Sequence, residues 1–239
     1  DETKPEVAVE NKALAEAPAA KAPVLMTAAL APAPAAPATP MEEDTVATIT
    51  GQDGTTTQYK SFDEAVNAAQ SGDTIEVIKD ATSTGIDLRD KKLTIKGKTV
   101  TTTTDSGTEE KTTVKPKLKF VAKEGQSQIA GITLWGSDLT FQNMDVDMTG
   151  ASSTTYNKWN AVCMSDNASL TLNRTDLSMD GTGLDASAQG IYMAGRGRNE
   201  LNVEDHSTLT INNYYNAIAW DGVGKGNEDS TYFINIKDG

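Results

Sequence analysis

Leu139-Thr-Phe-Gln-Asn-Met-Asp-Val-Asp-Met148 alternates apolar and polar residues and returns as Leu170-Thr-Leu-Asn-Arg-Thr-Asp-Leu-Ser-Met179. Shorter echoes follow in Leu201-Asn-Val-Glu-Asp205 and Tyr232-Phe-Ile-Asn-Ile236. The starts at 139, 170, 201 and 232 differ by 31, 31 and 31 residues. A fixed period of this size marks an architecture in which each unit buries its apolar face on the next. Strict alternation makes each unit a strand rather than a helix. The pattern therefore predicts an all-β chain wound as a coil of stacked strands. It also moves the search for function from a pocket to a long surface.

A second row of strands accompanies the first. Gly131-Ile-Thr-Leu-Trp135, Asn160-Ala-Val-Cys-Met164, Gly190-Ile-Tyr-Met-Ala194 and Asn216-Ala-Ile-Ala-Trp220 each open on Gly or Asn. Those residues tolerate the left-handed backbone of a corner between coil faces. Earlier rungs are expected at Leu93-Thr-Ile-Lys-Gly97 and Lys117-Leu-Lys-Phe-Val121. The Thr-rich stretch 98–117 between them is expected to leave the coil as a hairpin or loop.

The chain is not one material. Seven of its eight prolines precede residue 41, in a stretch rich in Ala and Glu without aromatic residues. Such a segment cannot bury enough apolar area to offset its ordering entropy. Residues 1–45 are read as a disordered Ala/Pro-rich linker or stalk, and residues 46–239 as one domain. The apolar patch Val24–Leu30 is far too short to span a bilayer, so membrane insertion is not expected. The formal net charge is −13. Clustered Lys and Arg are needed to hold a phosphate backbone, so nucleic acid is not an expected partner. Cys163 is alone, which leaves the stacked core to supply stability. Asn167-Ala-Ser169 and Asn173-Arg-Thr175 match the short N-glycosylation pattern.

The domain opens with a strand at Val46–Thr50, a turn at Gly51–Gly54 and a partner strand over Thr55–Lys60. Ser61 and Glu64 then make a capping box, and Phe62, Ala65, Val66 and Ala69 fall on one helical face. Gly72 stops the helix, and Thr74–Lys79 resumes strand alternation. The run Phe62-Asp-Glu-Ala-Val-Asn-Ala-Ala-Gln-Ser-Gly-Asp-Thr-Ile-Glu-Val77 resembles the opening of right-handed parallel β-helix proteins of the pectate-lyase-like superfamily. The resemblance covers about residues 46–239. It implies a right-handed coil whose open end is covered by a capping helix. It implies little about activity, since that fold hosts lyases, hydrolases, adhesins and passive surface proteins.

Alternation in the second row leaves Trp135, Val162, Met164, Tyr192, Ile218 and Trp220 facing outward, if Ala161, Cys163, Ala217 and Ala219 fill the narrow interior. Trp and Tyr are platforms for sugar rings and protein hot spots. The row is either a binding surface or a patch covered by loops, with Trp159, Tyr156, Tyr214 and Tyr215 beside it. Trp135, Tyr192, Trp220 and Trp159 are the candidate ligand-binding residues. Asp145 and Asp147 should face outward, and Asp176 should lie one rung above Asp145. Such a pair either shares a cation, for which calcium suits, or forms a solvated acidic face. Otherwise no cofactor is expected.

Catalytic signatures are sparse. His206 is the only histidine, so neither a His-based metal cluster nor a defined Ser/His/Asp triad is indicated. The Gly-His-Gly and Arg-Ile-Lys motifs of polygalacturonase-like β-helix enzymes are missing. Arg196 and Arg198, between glycines, are the remaining lyase-type candidates. The expectation is a non-catalytic adhesin-like module, bacterial and secreted or wall-attached, that presents an elongated face to a glycan or a host surface protein. The alternatives are a polysaccharide lyase or glycoside hydrolase using Asp145, Asp147, Asp176 and Arg196, and a passive spacer. Because Ile236–Gly239 follows a rung directly, the coil reads as unfinished and as part of a longer chain, with an exposed last rung prone to self-association.

Overall fold

The computed structural model describes residues 40–51, 53–103, 109–113, 115–153, 160–221 and 228–237. The Ala/Pro-rich segment before residue 40 lies outside them. The folded unit spans Pro40–Gly239. It opens with an antiparallel trio in which β1 (Ala47–Thr50) lies between β2 (Thr56–Tyr59) and β3 (Thr74–Val77). Helix α1 (Phe62–Ala68) joins β2 to β3 and packs against both, and against β1 and β4 (Ala81–Ser83). Its N-cap Ser61 accepts a hydrogen bond from the Glu64 amide at 3.1 Å, and Phe62, Ala65, Val66 and Ala69 are all buried.

From β3 the chain coils through three directions in turn. β4 is followed by β5 (Ile86–Arg89) and β6 (Lys92–Gly97). The hairpin β7 (Thr99–Thr103) and β8 (Glu109–Thr113) then leaves the coil as its own antiparallel sheet, as the Thr-rich composition predicts. Coiling resumes with β9 (Lys117–Phe120), β10 (Ile132–Trp135) and β11 (Asp138–Gln142). Next come β12 (Asp145–Asp147), β13 (Asn160–Ser165) and β14 (Ser169–Asn173). After them lie β15 (Asp176–Asp180), β16 (Gln189–Ala194) and β17 (Arg198–Glu204). The last set is β18 (Thr208–Asn212), β19 (Asn216–Trp220) and β20 (Thr231–Lys237).

Stacking gives three sheets. Sheet A runs β2-β1-β3-β6-β11-β14-β17-β20, sheet B runs β18-β15-β12-β9-β4, and sheet C runs β19-β16-β13-β10-β5. The fold is a parallel β-solenoid, parallel in register from β3 onward. Leu93, Leu139, Leu170, Leu201 and Ile234 form one inward column in sheet A. Leu118, Val146, Leu177 and Leu209 form another in sheet B, and Ile86, Ile132, Val162, Ile191 and Ile218 a third in sheet C. Like stacks on like every ~4.8 Å, and the interior is filled by residues almost wholly shielded from water.

Two details of register differ from the sequence reading. Leu201 pairs with Ile234, not Tyr232, so the last interval is 33 residues (234 − 201) rather than 31. An even slip keeps inward residues inward. In sheet C the rungs equivalent to Gly131 begin at Ala161, Gly190 and Ala217, one residue later than expected at 160 and 216. A one-residue slip turns every side chain to the other face.

The corners also differ in place. Gly131 and Gly190 do not have left-handed backbone; a Cβ there would lie 1.8 Å from the Ala161 carbonyl oxygen and 2.5 Å from that of Ala217. They are glycine because two rungs touch. The left-handed corners follow the strands instead. Asp90, Gly136, Asp166 and Gly195 stand in one column between sheets C and A, with φ of 52°, 57°, 58° and 72°. Asn143, Arg174 and Asp205 make the same turn between sheets A and B, with φ of 55°, 49° and 50°. Asn, Asp and Gly suit that conformation, and Arg174 is the misfit.

Candidate functional site on the outer face of sheet C

The outward residues of sheet C form two columns. Asp87, Thr133, Cys163, Tyr192 and Ala219 make one, and Arg89, Trp135, Ser165 and Ala194 the other. The expected aromatic row is thereby corrected. Val162, Met164 and Ile218 point into the coil, and Trp220 stacks on Met193 in the inner column. Trp220 is 57% exposed, and among the described residues β19 is the last strand of its sheet. Trp135 and Tyr192 do face outward. Tyr156 and Trp159 lie outside the described residues.

Tyr192 is outward but covered, at 2% exposure, and packs with Cys163, Ala194 and Ala219 in a small cluster of its own. Its hydroxyl donates to Asp221 Oδ1. Burial first, and the neighbouring Asp221 carboxylate second, push its phenol well above the usual tyrosine range. The same two causes push the Cys163 thiol up to about 12. This half of the face is a packed, inert annex.

The other half is open. Between α1 and sheet C lies a groove of about 400 Å³, lined by Asp63, Asn67, Thr84, Asp87, Thr133 and Ser153 among others. Asp63 and Asn67 come from the flank of the helix next to Phe62 and Val66, and Val66 lines the groove with them. Asp87 and Thr133 sit side by side on adjacent rungs. The Thr84 amide and hydroxyl both donate to Asp63 Oδ2, at 2.9 and 2.6 Å, and tie the helix to the coil corner. Asp63 Oδ1 is buried without a hydrogen-bond partner. Trp135 is the next outward residue after Thr133, about 7 Å along the strand. The Arg89 guanidinium lies 5.6 Å from its ring centroid and is anchored by Asp87 at 3.3 Å. Trp135 thus stands one outward position away from a groove that carries carboxylate, amide and hydroxyl groups. Such a set can accept and donate to a hydroxyl-rich ring stacked on the indole. Sequence reasoning found Trp135 but missed Asp63, Asn67 and Asp87. Their signal was present as the polar face of the helix and the alternation of Ile86-Asp87-Leu88.

The acidic residues occupy sheet B. Asp145 and Asp176 are in register on adjacent rungs, with Met144, Val146 and Met148 buried behind them. Lys115 lies between the two carboxylates, 3.5 Å from Asp145 Oδ1 and in direct contact with Asp176 Oδ2. Lys117 reaches Asp147 Oδ2 at 3.2 Å. The Lys115 hydrogen bond holds the Asp176 carboxyl below its ordinary value. Burial raises Asp147, but the Thr149 amide and hydroxyl and Lys117 outweigh it and hold that carboxyl low. The cation that this pair needs is thus supplied by lysine. Among the described residues no group of three or more His, Cys, Asp or Glu side chains is placed to hold a metal ion.

Arg196 and Arg198 stand at the corner between sheets C and A, on a different face from these aspartates. Their loop is backbone-packed: the Arg196 amide donates to Asp166 Oδ1 at 2.9 Å and the Arg198 amide to Asn167 Oδ1 at 3.0 Å. A Cβ at Gly195 or Gly197 would lie 2.2 Å from Ser165 Oγ or Asn167 Oδ1, which accounts for both glycines. Arg198 covers the Phe233 ring at 3.7 Å and pairs with Glu200. His206 lies at the corner between sheets A and B, beside Asp205 at 3.6 Å. The structure therefore does not bring Arg196 or His206 to the Asp145–Asp176 pair. In the second glycosylation pattern the Thr175 hydroxyl is buried and donates to the Asn173 carbonyl at 3.0 Å.

No protein-family model matches the chain, and comparisons with curated proteins and with solved structures also give no match.

Proposed function

We propose that this chain is a non-catalytic, adhesin-like module of a bacterial secreted or surface protein that binds a glycan on the outer face of sheet C. In this reading the coil is a right-handed parallel β-helix of the pectate-lyase-like kind, and α1 caps its N-terminal end. The observation that carries the reading is outward Trp135 standing one outward position along β10 from Thr133, which lines a groove of carboxylate, amide and hydroxyl groups. An aromatic platform beside hydroxyl-matching groups is how a shallow site holds a sugar without desolvating buried charge. The coil supplies rigidity, because each groove residue sits on a helix, a strand or a corner pinned by hydrogen bonds.

The test is a glycan array of mucin, plant and bacterial sugars probed with the full chain and with Trp135→Ala, Asp87→Asn and Trp220→Ala. The expected result is binding that falls at least tenfold in the first two variants and stays unchanged in the third. Binding that survives both Trp135→Ala and Asp87→Asn would place the ligand elsewhere and sink the reading. An array with no binding at all would favour a host protein partner or a spacer.

A further inference from the structure

Asp63 brings more to the groove beside sheet C than its place in the fold requires. It stands in the first turn of α1, and its Oδ2 accepts from both the Thr84 amide and the Thr84 hydroxyl. That tie needs only an acceptor oxygen, which a neutral side-chain amide would supply. The negative charge is surplus to it. Asp63 Oδ1 is shielded from water and has no hydrogen-bond partner. A carboxylate with one oxygen stranded in this way is costly to leave unmet.

The cations at hand are engaged elsewhere. Arg89 pairs with Asp87 at 3.3 Å. Lys91 lines the groove, but its Nζ donates to the Ala69 carbonyl at 3.0 Å. Ala69 is six residues on from Asp63 (69 − 63), about 9 Å along the helix axis. Among the described residues, Asp63 makes no ion pair. Asp63 and Asp87 against Lys91 leave the groove lining at −1 (−2 + 1), in a chain of net charge −13. Such a field draws cations and repels anions.

We propose, resting on the glycan reading above, that the groove selects an amino sugar whose nitrogen is a free ammonium, as in β-1,4-linked glucosamine, and that Asp63 pairs with that ammonium. A sugar hydroxyl offers the carboxylate one donor and no charge. An ammonium offers three donors and the opposite charge, and charge-assisted hydrogen bonds are the stronger kind. N-acetylation removes the charge and leaves a single N–H. A uronic acid would set its own carboxylate against Asp63 and Asp87 and is repelled. Asn67, Thr84 and Thr133 remain to meet the hydroxyls of the ring.

Isothermal titration calorimetry of the full chain with the β-1,4-glucosamine trimer, its N-acetylated form and a galacturonate trimer tests this. The glucosamine trimer is expected to bind about tenfold tighter than its acetylated form, and the galacturonate trimer not at all. Asp63→Asn keeps an oxygen for Thr84 and removes the charge, so it should bring the first two to within about twofold of each other. Asp176→Asn removes the same charge on sheet B and should leave the tenfold preference, which separates the groove from the charge of the whole chain. A readout on the unaltered chain guards against a folding defect in Asp63→Asn: the preference should shrink as salt rises from about 0.05 to 0.5 M, while binding of the acetylated trimer holds. Equal affinity for the two trimers, a preference that survives Asp63→Asn, or one indifferent to salt overturns the inference and leaves the glycan site at Trp135 standing. No binding of the glucosamine trimer overturns it as well, and only an array on which no sugar binds removes the glycan reading with it.

Discussion

Gly131→Ala should be among the most damaging small substitutions in this chain. The backbone at Gly131 has an ordinary φ, so the added methyl brings no conformational strain. It does bring a carbon to 1.8 Å from the Ala161 oxygen and 2.8 Å from the Ala161 carbonyl carbon, both backbone atoms. A carbon approaches a carbonyl oxygen no closer than about 3.3 Å, so β10 and β13 must part by roughly 1.5 Å. Hydrogen bonds near 2.9 Å do not survive that movement. On the other side the Gly131 carbonyl accepts from the Ile86 amide at 3.0 Å, so the strand has no room to retreat. Stranding one or two buried backbone groups costs about 1–3 kcal/mol each. Shifting Ile132 and Leu134 off their column adds about 1–3 kcal/mol of overpacking. Against this, alanine's smaller unfolded-state entropy returns only about 0.4–1 kcal/mol. The net loss is about 4 kcal/mol, a large part of a typical domain's 5–15 kcal/mol. Gly54→Ala is the matched control. Its φ is +80° but nothing lies within 4 Å, so only the left-handed penalty of about 1–2 kcal/mol applies. Urea unfolding followed by far-UV circular dichroism compares the two midpoints. If Gly131→Ala costs no more than Gly54→Ala, rung contact is not why the glycine is there.

Three further outcomes follow from named contacts. Arg174→Asn should raise the thermal midpoint by the equivalent of about 0.5–1 kcal/mol, because Asn tolerates the left-handed corner that Arg174 occupies beside Asn143 and Asp205; a lower midpoint would mean that the exposed Arg174–Asp205 pair at 2.7 Å outweighs the backbone. Lys115→Met should destabilise by under about 1 kcal/mol, since all three charged groups are a third to a half exposed and solvent screens them. The sign with pH is fixed by the shifts. The depressed Asp176 contributes above the ordinary carboxylate range and loses that contribution as pH falls through its folded value. Burial lowers Lys115, but Asp176 and Asp145 outweigh it and raise it, so its contribution persists until pH climbs past the ordinary lysine range. The gap between wild type and variant in urea titrations should therefore be full near pH 7 and close below about pH 3; a gap that widens in acid contradicts the assignment. Finally, the Cys163 thiol, pushed to about 12, should be only ~1 part in 10⁴ thiolate at pH 8 and should react with a disulfide reagent only on unfolding. Rapid labelling of the native chain would show that the annex around Tyr192 is open.

The repeat was legible because the links inside the Leu139–Met148 and Leu170–Met179 units are single corners of equal length. Sheet A therefore keeps the 31-residue interval from Leu139 through Leu170 to Leu201, and sheet B from Asp145 to Asp176. Sheet C follows longer, unequal loops, and its inward column at 132, 162, 191 and 218 advances by 30, 29 and 27 residues. With no constant period, the opening Asn and Gly residues were the only markers, and they mark different register positions. Alternation could not repair the phase, because β13 and β16 are buried on both faces. A strand covered on both sides reads as a continuous apolar run with no preferred phase. Asp63, Asn67 and Asp87 escaped notice for another reason: they come together only once α1 is laid beside β5 and β10.

Columns turn this fold into its own control experiment. Every position has neighbours one rung away in the same environment, so a residue that departs from its column needs a cause. Tyr192 stands among Cys163 and Ala219, and its bond to Asp221 supplies one. Gly195 and Gly197 have one in the side chains that press on them. Trp135 stands between Arg89 and Ser165 in its column, the largest side chain there, half-buried and with the Arg89 guanidinium over its ring. The rungs on one side of it carry Ser165 and Ala194, and the rung on the other carries Arg89. In the proposed reading the indole's remaining contact is a sugar ring, and Trp135 stands one outward position along β10 from Thr133 in the groove of Asp63, Asn67 and Asp87.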